Sequence, residues 1–347
     1  MIPYHKPMEM YGGLRLHQNE NTGGCSPRVL DALRSLRADE IGFYPSYAAT
    51  IDACAAYLGA PADSVALVNG LDEGIAGIAV AYLRSSAGGF VPEAVIPEPA
   101  FEIFVFDTEV VGGRPVRVAP RPDFTFPLDD VLGAITPRTR AVFVTNPNNP
   151  TGVPVPLDAI RAVARAVPPE AIVLVDEAYA EFSGTTFIPE LPAFPNVVVG
   201  RTFSKAFGLA GLRIGCLVGA KARLDPIRVA VPLYSVNVAA VVAVRAAIED
   251  REHVADYLRQ VAESKALLYT ACARLGLAYW RSSTNFVLVR IGDRVREVVA
   301  GLAARGVYVR DRSKEAGCAG CVRISTGIVE HTKRGIAAME EVLCAEG

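Results

Sequence analysis

At 347 residues the chain exceeds the ~250–300 at which a single hydrophobic core stops growing, so two domains are expected. A formal net charge of −2 excludes a general nucleic-acid binder and leaves no polybasic patch for a membrane surface. Hydrophobic residues make up 51% of the chain, enough for a large core, yet no stretch approaches the ~20 uninterrupted apolar residues of a membrane span.

The first residues, Met1-Ile-Pro-Tyr-His-Lys-Pro7, lack the apolar core of a signal peptide, which points to the cytoplasm. Short apolar runs then read as strands at Val65–Val68, Ala94–Ile96, Pro115–Val118, Ala141–Thr145, Ile172–Val175, Val197–Val199 and Cys216–Gly219. Helical stretches at Asp72–Arg84, Leu128–Ile135 and Leu157–Val167 fall between them, so helices should flank a mostly parallel sheet. After about residue 235 the pattern changes. Ala239–Ile248 and Arg251–Leu275 read as long helices, and Phe286–Arg290, Val307–Arg310 and Cys321–Ile324 as strands of a smaller α+β domain. Seven cysteines, an odd number scattered along the chain, suit free thiols in a reducing compartment. Cys318 and Cys321 have the spacing of a metal or redox pair. The histidines His5, His17, His253 and His331 supply no matching ligand set, so no metal is implied.

Three segments carry chemistry. In Arg201-Thr-Phe-Ser-Lys-Ala-Phe-Gly-Leu-Ala-Gly-Leu-Arg-Ile-Gly215, Lys205 is surrounded by Phe203, Ala206, Phe207 and Leu209. Burial favours its neutral amine, a nucleophile able to form a Schiff base with an aldehyde. Ser204 and Arg213 supply a hydroxyl and a guanidinium for a phosphate. An aldehyde and a phosphate together describe pyridoxal 5′-phosphate. The run Ala171-Ile-Val-Leu-Val-Asp-Glu-Ala-Tyr179 places Asp176 at a strand's C-terminal end, where open α/β sheets bind ligands and where a carboxylate can pair with a pyridinium nitrogen. A second such strand ends in Asn146-Pro-Asn-Asn-Pro-Thr-Gly152; Asn149 and Tyr179 can hydrogen-bond the ring's phenolic oxygen.

With these three segments in this order and spacing, the sequence resembles the fold-type I, class I/II pyridoxal-phosphate-dependent aminotransferases, and within them the histidinol-phosphate aminotransferase family, from about Leu16 to about Gly327. The resemblance implies a large cofactor-binding domain over 41–235, with a mostly parallel seven-stranded sheet, and a smaller α+β domain formed by 1–40 and 236–347. It places the cofactor phosphate at the turn Asn69-Gly-Leu-Asp-Glu73, on Gly70, Leu71 and Asp72, although Leu71 stands where the family has a small residue. Phe101 would stack on the ring, and Glu102 departs from a small residue usually found nearby. Tyr44 would reach across a homodimer interface to the partner's cofactor phosphate. Asn19 and Asn21 would line the substrate side, with Thr22-Gly23-Gly24 replacing a proline-containing turn. Arg323 would hold the substrate's anionic group and Arg310 its phosphate.

The implied reaction is L-histidinol phosphate plus 2-oxoglutarate to imidazole-acetol phosphate plus L-glutamate, in two half-reactions, with Lys205 as the Schiff-base lysine and proton carrier. An aromatic or other amino-acid aminotransferase would share the cofactor residues and differ in the substrate pocket. Threonine-phosphate decarboxylase also resembles this family and would lose CO₂ instead. A regulator's aminotransferase-like sensor domain would need a DNA-binding module, for which the roughly forty residues before Tyr44 leave little room.

Overall fold

The computed structural model describes residues 12–84 and 89–344. The Met1–Pro7 segment and His5 lie outside the described residues. A short strand, β1 (Leu14–Arg15), is followed by β2 (Val65–Val68), β3 (Glu93–Pro97), β4 (Arg114–Val118), β5 (Thr139–Thr145), β6 (Ile172–Asp176), β7 (Val197–Thr202) and β8 (Gly215–Gly219). Strands β2 to β8 coincide with the seven apolar runs and form one sheet in the order β2-β8-β7-β6-β5-β3-β4. Every neighbouring pair is parallel except those of β8, which runs antiparallel to β2 and β7.

The sheet is covered on both faces, which is why β5 to β7 read as unbroken apolar runs. Alternation still sorts their side chains. Val142, Val144, Val173, Val175, Val197 and Val199 enter one core, whereas Ala141, Phe143, Ile172, Leu174 and Val198 enter the other. The expected helix Asp72–Arg84 is two pieces, an α-helix at Leu71–Ile78 and a π-helical stretch at Ala79–Leu83. The wider turn keeps Ile78, Ala79 and Leu83, all fully buried, on the core side together.

The smaller unit contains β9 (Ala278–Tyr279), β10 (Phe286–Arg290), β11 (Val307–Tyr308), β12 (Arg310–Asp311) and β13 (Cys321–Ser325). The expected strand Val307–Arg310 serves two sheets. Its first half pairs in parallel with β1, and its second half pairs with β13 in the four-stranded order β12-β13-β10-β9. Leu14 and Leu16 share a core with Val287, Val289, Val322 and Ile324, so the N-terminal segment packs against the C-terminal unit. Val29 and the helix Val238–Glu249 instead pack into the core of the large sheet, so that core crosses both expected boundaries, at 41 and at 235. Among the described residues no helix is long and apolar enough to cross a membrane.

Strands β5, β6 and β7 end side by side. Thr145 pairs with Asp176, and Asp176 with Gly200, so the Asn146–Gly152 turn, Asp176 and the Thr202–Lys205 loop converge on one edge. Phe143 in β5 is 2% exposed and stacks on Phe104 with ring centroids 4.7 Å apart. Phe143→Ala is expected to lower the unfolding free energy by ~3–5 kcal/mol, seen as a shifted midpoint in denaturant titration.

Candidate active site

The converging strand ends open into a cavity of about 360 Å³. Its far walls are the segment His17–Glu20 and the strand pair β12–β13. Lys205 lies at the centre, and its Nζ donates to the backbone carbonyl of Gln18 at 3.1 Å. Burial pushes the amine down to about 8, helped by the nearby Arg323 guanidinium and opposed by Asp72 and Glu20. Asp176 shows the converse shift. Burial raises its carboxyl to about 7 although Oδ1 accepts from the Ala178 N–H at 3.0 Å. Both groups are thus displaced toward their neutral forms.

A buried network ties three parts of the chain together at the cavity. Arg323 in β13 donates from Nη1 to Asn149 Oδ1 and from Nη2 to the His17 carbonyl at 2.8 Å. Burial and the neighbouring Arg312 push its guanidinium down to about 9, so it stays charged at neutral pH. Its Nε is buried without a hydrogen-bond partner. Tyr179 packs edge-on against Phe286, and its hydroxyl accepts from Asn19 Nδ2 at 2.9 Å. Asn19 has φ 55 and spends its remaining groups on Ser325 and Asn285.

At another corner Gly70 caps the helix Leu71–Ile78 with φ 74, and a Cβ there would collide with the Arg213 guanidinium. Arg213 Nη2 pairs with Asp72 Oδ2 at 2.8 Å. Thr202 Oγ1 donates to Ser204 Oγ at 3.0 Å, so two hydroxyls stand beside this helix start. Leu71, Asp72 and Phe101 line the cavity, with Phe101 edge-on to Phe104. Arg310 pairs directly across from Arg323 in the β12–β13 ladder and also faces the cavity.

Of the residues singled out by sequence, Lys205, Asp176, Tyr179, Asn149, Ser204, Arg213, Leu71, Asp72, Phe101, Asn19, Arg310 and Arg323 line this one space, and Gly70 lies just behind Arg213. Two do not line it. Asn21 donates to the Ala206 carbonyl and accepts from the Gly23 N–H, fastening the N-terminal segment to the lysine loop beside an adjoining cavity. Tyr44 is 78% exposed and stacks on Tyr234 at 4.4 Å, on the outer surface. Sequence reasoning missed His17, Gln18, Thr202 and Arg312, all of which line the cavity. Arg312 was readable in principle: it lies two residues after Arg310, and alternation along a strand repeats the same face.

Cys318 and Cys321 are buried free thiols packed with Phe124 and Leu288, and no group of His, Cys, Asp or Glu among the described residues could hold a metal ion.

The profile of the family described as "Aminotransferase class I and II" matches residues 12–338. The chain belongs to this family. It is 37% identical to a histidinol-phosphate aminotransferase from Symbiobacterium thermophilum, covering 99% of this chain and 96% of the relative. It is 36% identical to one from Moorella thermoacetica, covering 95% and 85%. The structure superposes on the crystal structure of histidinol-phosphate aminotransferase from Sinorhizobium meliloti in complex with pyridoxal 5′-phosphate, with TM-score 0.89 at 27% identity over 100% of this chain and 96% of that one. An aspartate aminotransferase from Thermus thermophilus, at 23% identity, shares the fold with TM-score 0.80 over 95% of this chain and 92% of that one.

An aminotransferase of this family needs an amine that is nucleophilic near neutral pH, and the shift at Lys205 is directly measurable. In cofactor-free protein, labelling of Lys205 by an amine-directed reagent is expected to be half-maximal near pH 8, as its buried environment dictates, instead of near the 10.5 of an ordinary lysine. Peptide mapping across a pH series checks this.

Proposed function

We propose that the chain transfers the amino group of L-histidinol phosphate to 2-oxoglutarate, using pyridoxal 5′-phosphate, in histidine biosynthesis. The observation that carries the substrate reading is the pair Arg310 and Arg323, facing each other across β12 and β13 in the same cavity as Lys205. Two guanidiniums suit a dianionic phosphate monoester better than a single carboxylate requires.

The residues present fit the cofactor. Its phosphate matches the Gly70 helix start, the Arg213 guanidinium and the Thr202–Ser204 hydroxyls. For its ring the same cavity offers an aromatic side chain, Phe101, and a buried carboxylate, Asp176. When bound, pyridoxal 5′-phosphate supplies an exchangeable aldehyde and a protonated pyridine ring that accepts the electron pair of the substrate Cα–H bond.

The protein does the remainder. Asp176 holds a proton on the ring nitrogen; a cation there offsets the burial that otherwise lifts the carboxyl to about 7, so carboxylate and ring cation stabilise one another. Asn149 and Tyr179, each oriented by a partner, Arg323 and Asn19 respectively, would hydrogen-bond the ring's phenolic oxygen. With the cofactor bound, Lys205 Nζ would take the proton from the substrate Cα as general base and return it as general acid. Arg310 and Arg323 hold the anionic end and so align the Cα–H bond with that amine. A 2-oxo acid, anchored by the same arginines, returns the system to its starting state.

The same reading divides the chain into a cofactor-binding unit, 41–235, and a smaller unit of 1–40 and 236–347, with Val29 and Val238–Glu249 packing on the former. Homodimerisation is supported by exposed apolar side chains around Tyr44, namely Ile41, Phe43, Leu233 and Tyr234. In such a dimer Tyr44 would contact the partner's cofactor phosphate, and Asn21 would order the substrate side by holding the lysine loop. A cytoplasmic location agrees with buried free thiols at Cys54, Cys216, Cys272, Cys318 and Cys321.

Purified yellow enzyme mixed with L-histidinol phosphate, without any 2-oxo acid, is expected to lose its visible band rapidly in a single turnover. Phenylalanine and threonine phosphate should react far more slowly, and Lys205→Ala should not respond at all. A faster response to phenylalanine would overturn the phosphate reading. Arg310→Ala is expected to raise KM for histidinol phosphate by about 10–100-fold, the scale of a lost charged hydrogen bond, and to change KM for a non-phosphorylated amino acid much less. Equal steady-state shifts for both substrates would remove Arg310 from that role.

A further inference from the structure

Among the described residues four carboxylates line the cavity; Glu20 is bonded to Arg15, Asp72 to Arg213, and Asp176 accepts from the Ala178 N–H, whereas Glu102 is held by no hydrogen bond of this kind. It follows Phe101, lines the same space as Lys205, Arg310 and Arg323, and its side chain is 42% exposed. Among the described residues its ion-pair partner is Arg312, whose Nη1 lies 3.9 Å from Glu102 Oε1, too far for a hydrogen bond. Arg312 is held more firmly from the other side. Its side chain is 6% exposed, and its Nε is 2.5 Å from Glu315 Oε1. The arginine therefore leans on Glu315 and fixes the position of Glu102 by charge, leaving the Glu102 oxygens free to accept from the cavity.

The cavity thus offers groups of both signs to a ligand. Arg310 and Arg323 offer donors at one place, and Glu102 offers an acceptor at another. A ligand matching both carries an anionic group and, a few bonds away, a ring bearing an N–H. A second anionic group near Glu102 would be repelled, and a purely apolar ring would leave the carboxylate without a partner.

We propose that Glu102 is a specificity-determining residue, whose carboxylate accepts a hydrogen bond from an N–H of the donor's heterocyclic side chain, with Arg312 as its positioning residue. This rests on the histidinol phosphate reading and extends it to the other end of that substrate. Discrimination arises because a site built to bond an N–H rejects an analogue lacking it more strongly than a purely apolar pocket could.

The test compares kcat/KM for L-histidinol phosphate with that for L-phenylalaninol phosphate, which keeps the phosphate and presents a ring without an N–H. In Glu102→Gln and Glu102→Ala the ratio of the two is expected to fall about tenfold or more, the scale of a lost hydrogen bond to a charged group. Arg312→Leu should lower the ratio as well, and Arg312→Lys should restore part of it, a pattern that a general loss of packing would not produce. An unchanged ratio in Glu102→Ala, with wild-type enzyme turning over histidinol phosphate, overturns the Glu102 assignment alone. Wild-type enzyme that does not turn over histidinol phosphate overturns the substrate reading and this assignment with it.

Discussion

The buried guanidinium of Arg323 is the interaction on which the rest of the site depends. It sits on β13 of the smaller unit, yet its two Nη atoms are bound by Asn149, from the turn after β5 in the large sheet, and by the His17 carbonyl, from the N-terminal segment. Three stretches distant in sequence are therefore fixed by one rigid fork, whose geometry a lysine could not reproduce. The same charge reaches Lys205, where it is the second cause, after burial, of the depressed amine. Structure and reactivity are coupled at this residue: a side chain that assembles the cavity also helps lower the amine of its nucleophile toward neutrality.

Lys205 and Asp176 share one response to the cavity. Neither is paired with the other, and each is displaced toward neutrality chiefly by burial. In a dry cavity this is the cheaper arrangement while no ligand charge is present. A cation placed beside Asp176 would reverse the balance there, because a buried carboxylate beside an opposite charge is favoured where an isolated one is not. At the start of the helix Leu71–Ile78, Arg213 rests on Asp72, a half-exposed pair of modest strength.

Much of this was legible in the sequence because burial on both sheet faces leaves a signal that does not depend on distant contacts. The runs that became β5, β6 and β7 end at Asn146–Gly152, Asp176 and Thr202–Lys205, and a chemistry-bearing residue at the end of an apolar run reads as a site whatever its neighbours are. What remained hidden depended on pairing. Val307–Arg310 reads as one strand, yet β1 claims its first half and β13 its second, a choice set by partners hundreds of residues away. Val29 and Val238–Glu249 join the large core although they lie beyond the stretch that reads as its domain, since a helix's apolar face does not say which sheet will cover it. Glu102 had no rationale in sequence because its partner, Arg312, is 210 positions away and is brought near only by the folding of β12 against the cavity.

The distribution of charge along the cavity also explains why its N-terminal wall is built as it is. The His17–Glu20 segment contributes mostly backbone: the His17 carbonyl to Arg323 and the Gln18 carbonyl to Lys205. Carbonyl dipoles satisfy two cations without adding a formal negative charge that would compete with an incoming anion. Carboxylates in those positions would hold the same side chains equally well and would repel a phosphate ester from the space they enclose. Neutral carbonyls thus meet Arg323 and Lys205 directly, while the carboxylates that line the cavity, Glu20, Asp72, Glu102 and Asp176, accept no hydrogen bond from either cation.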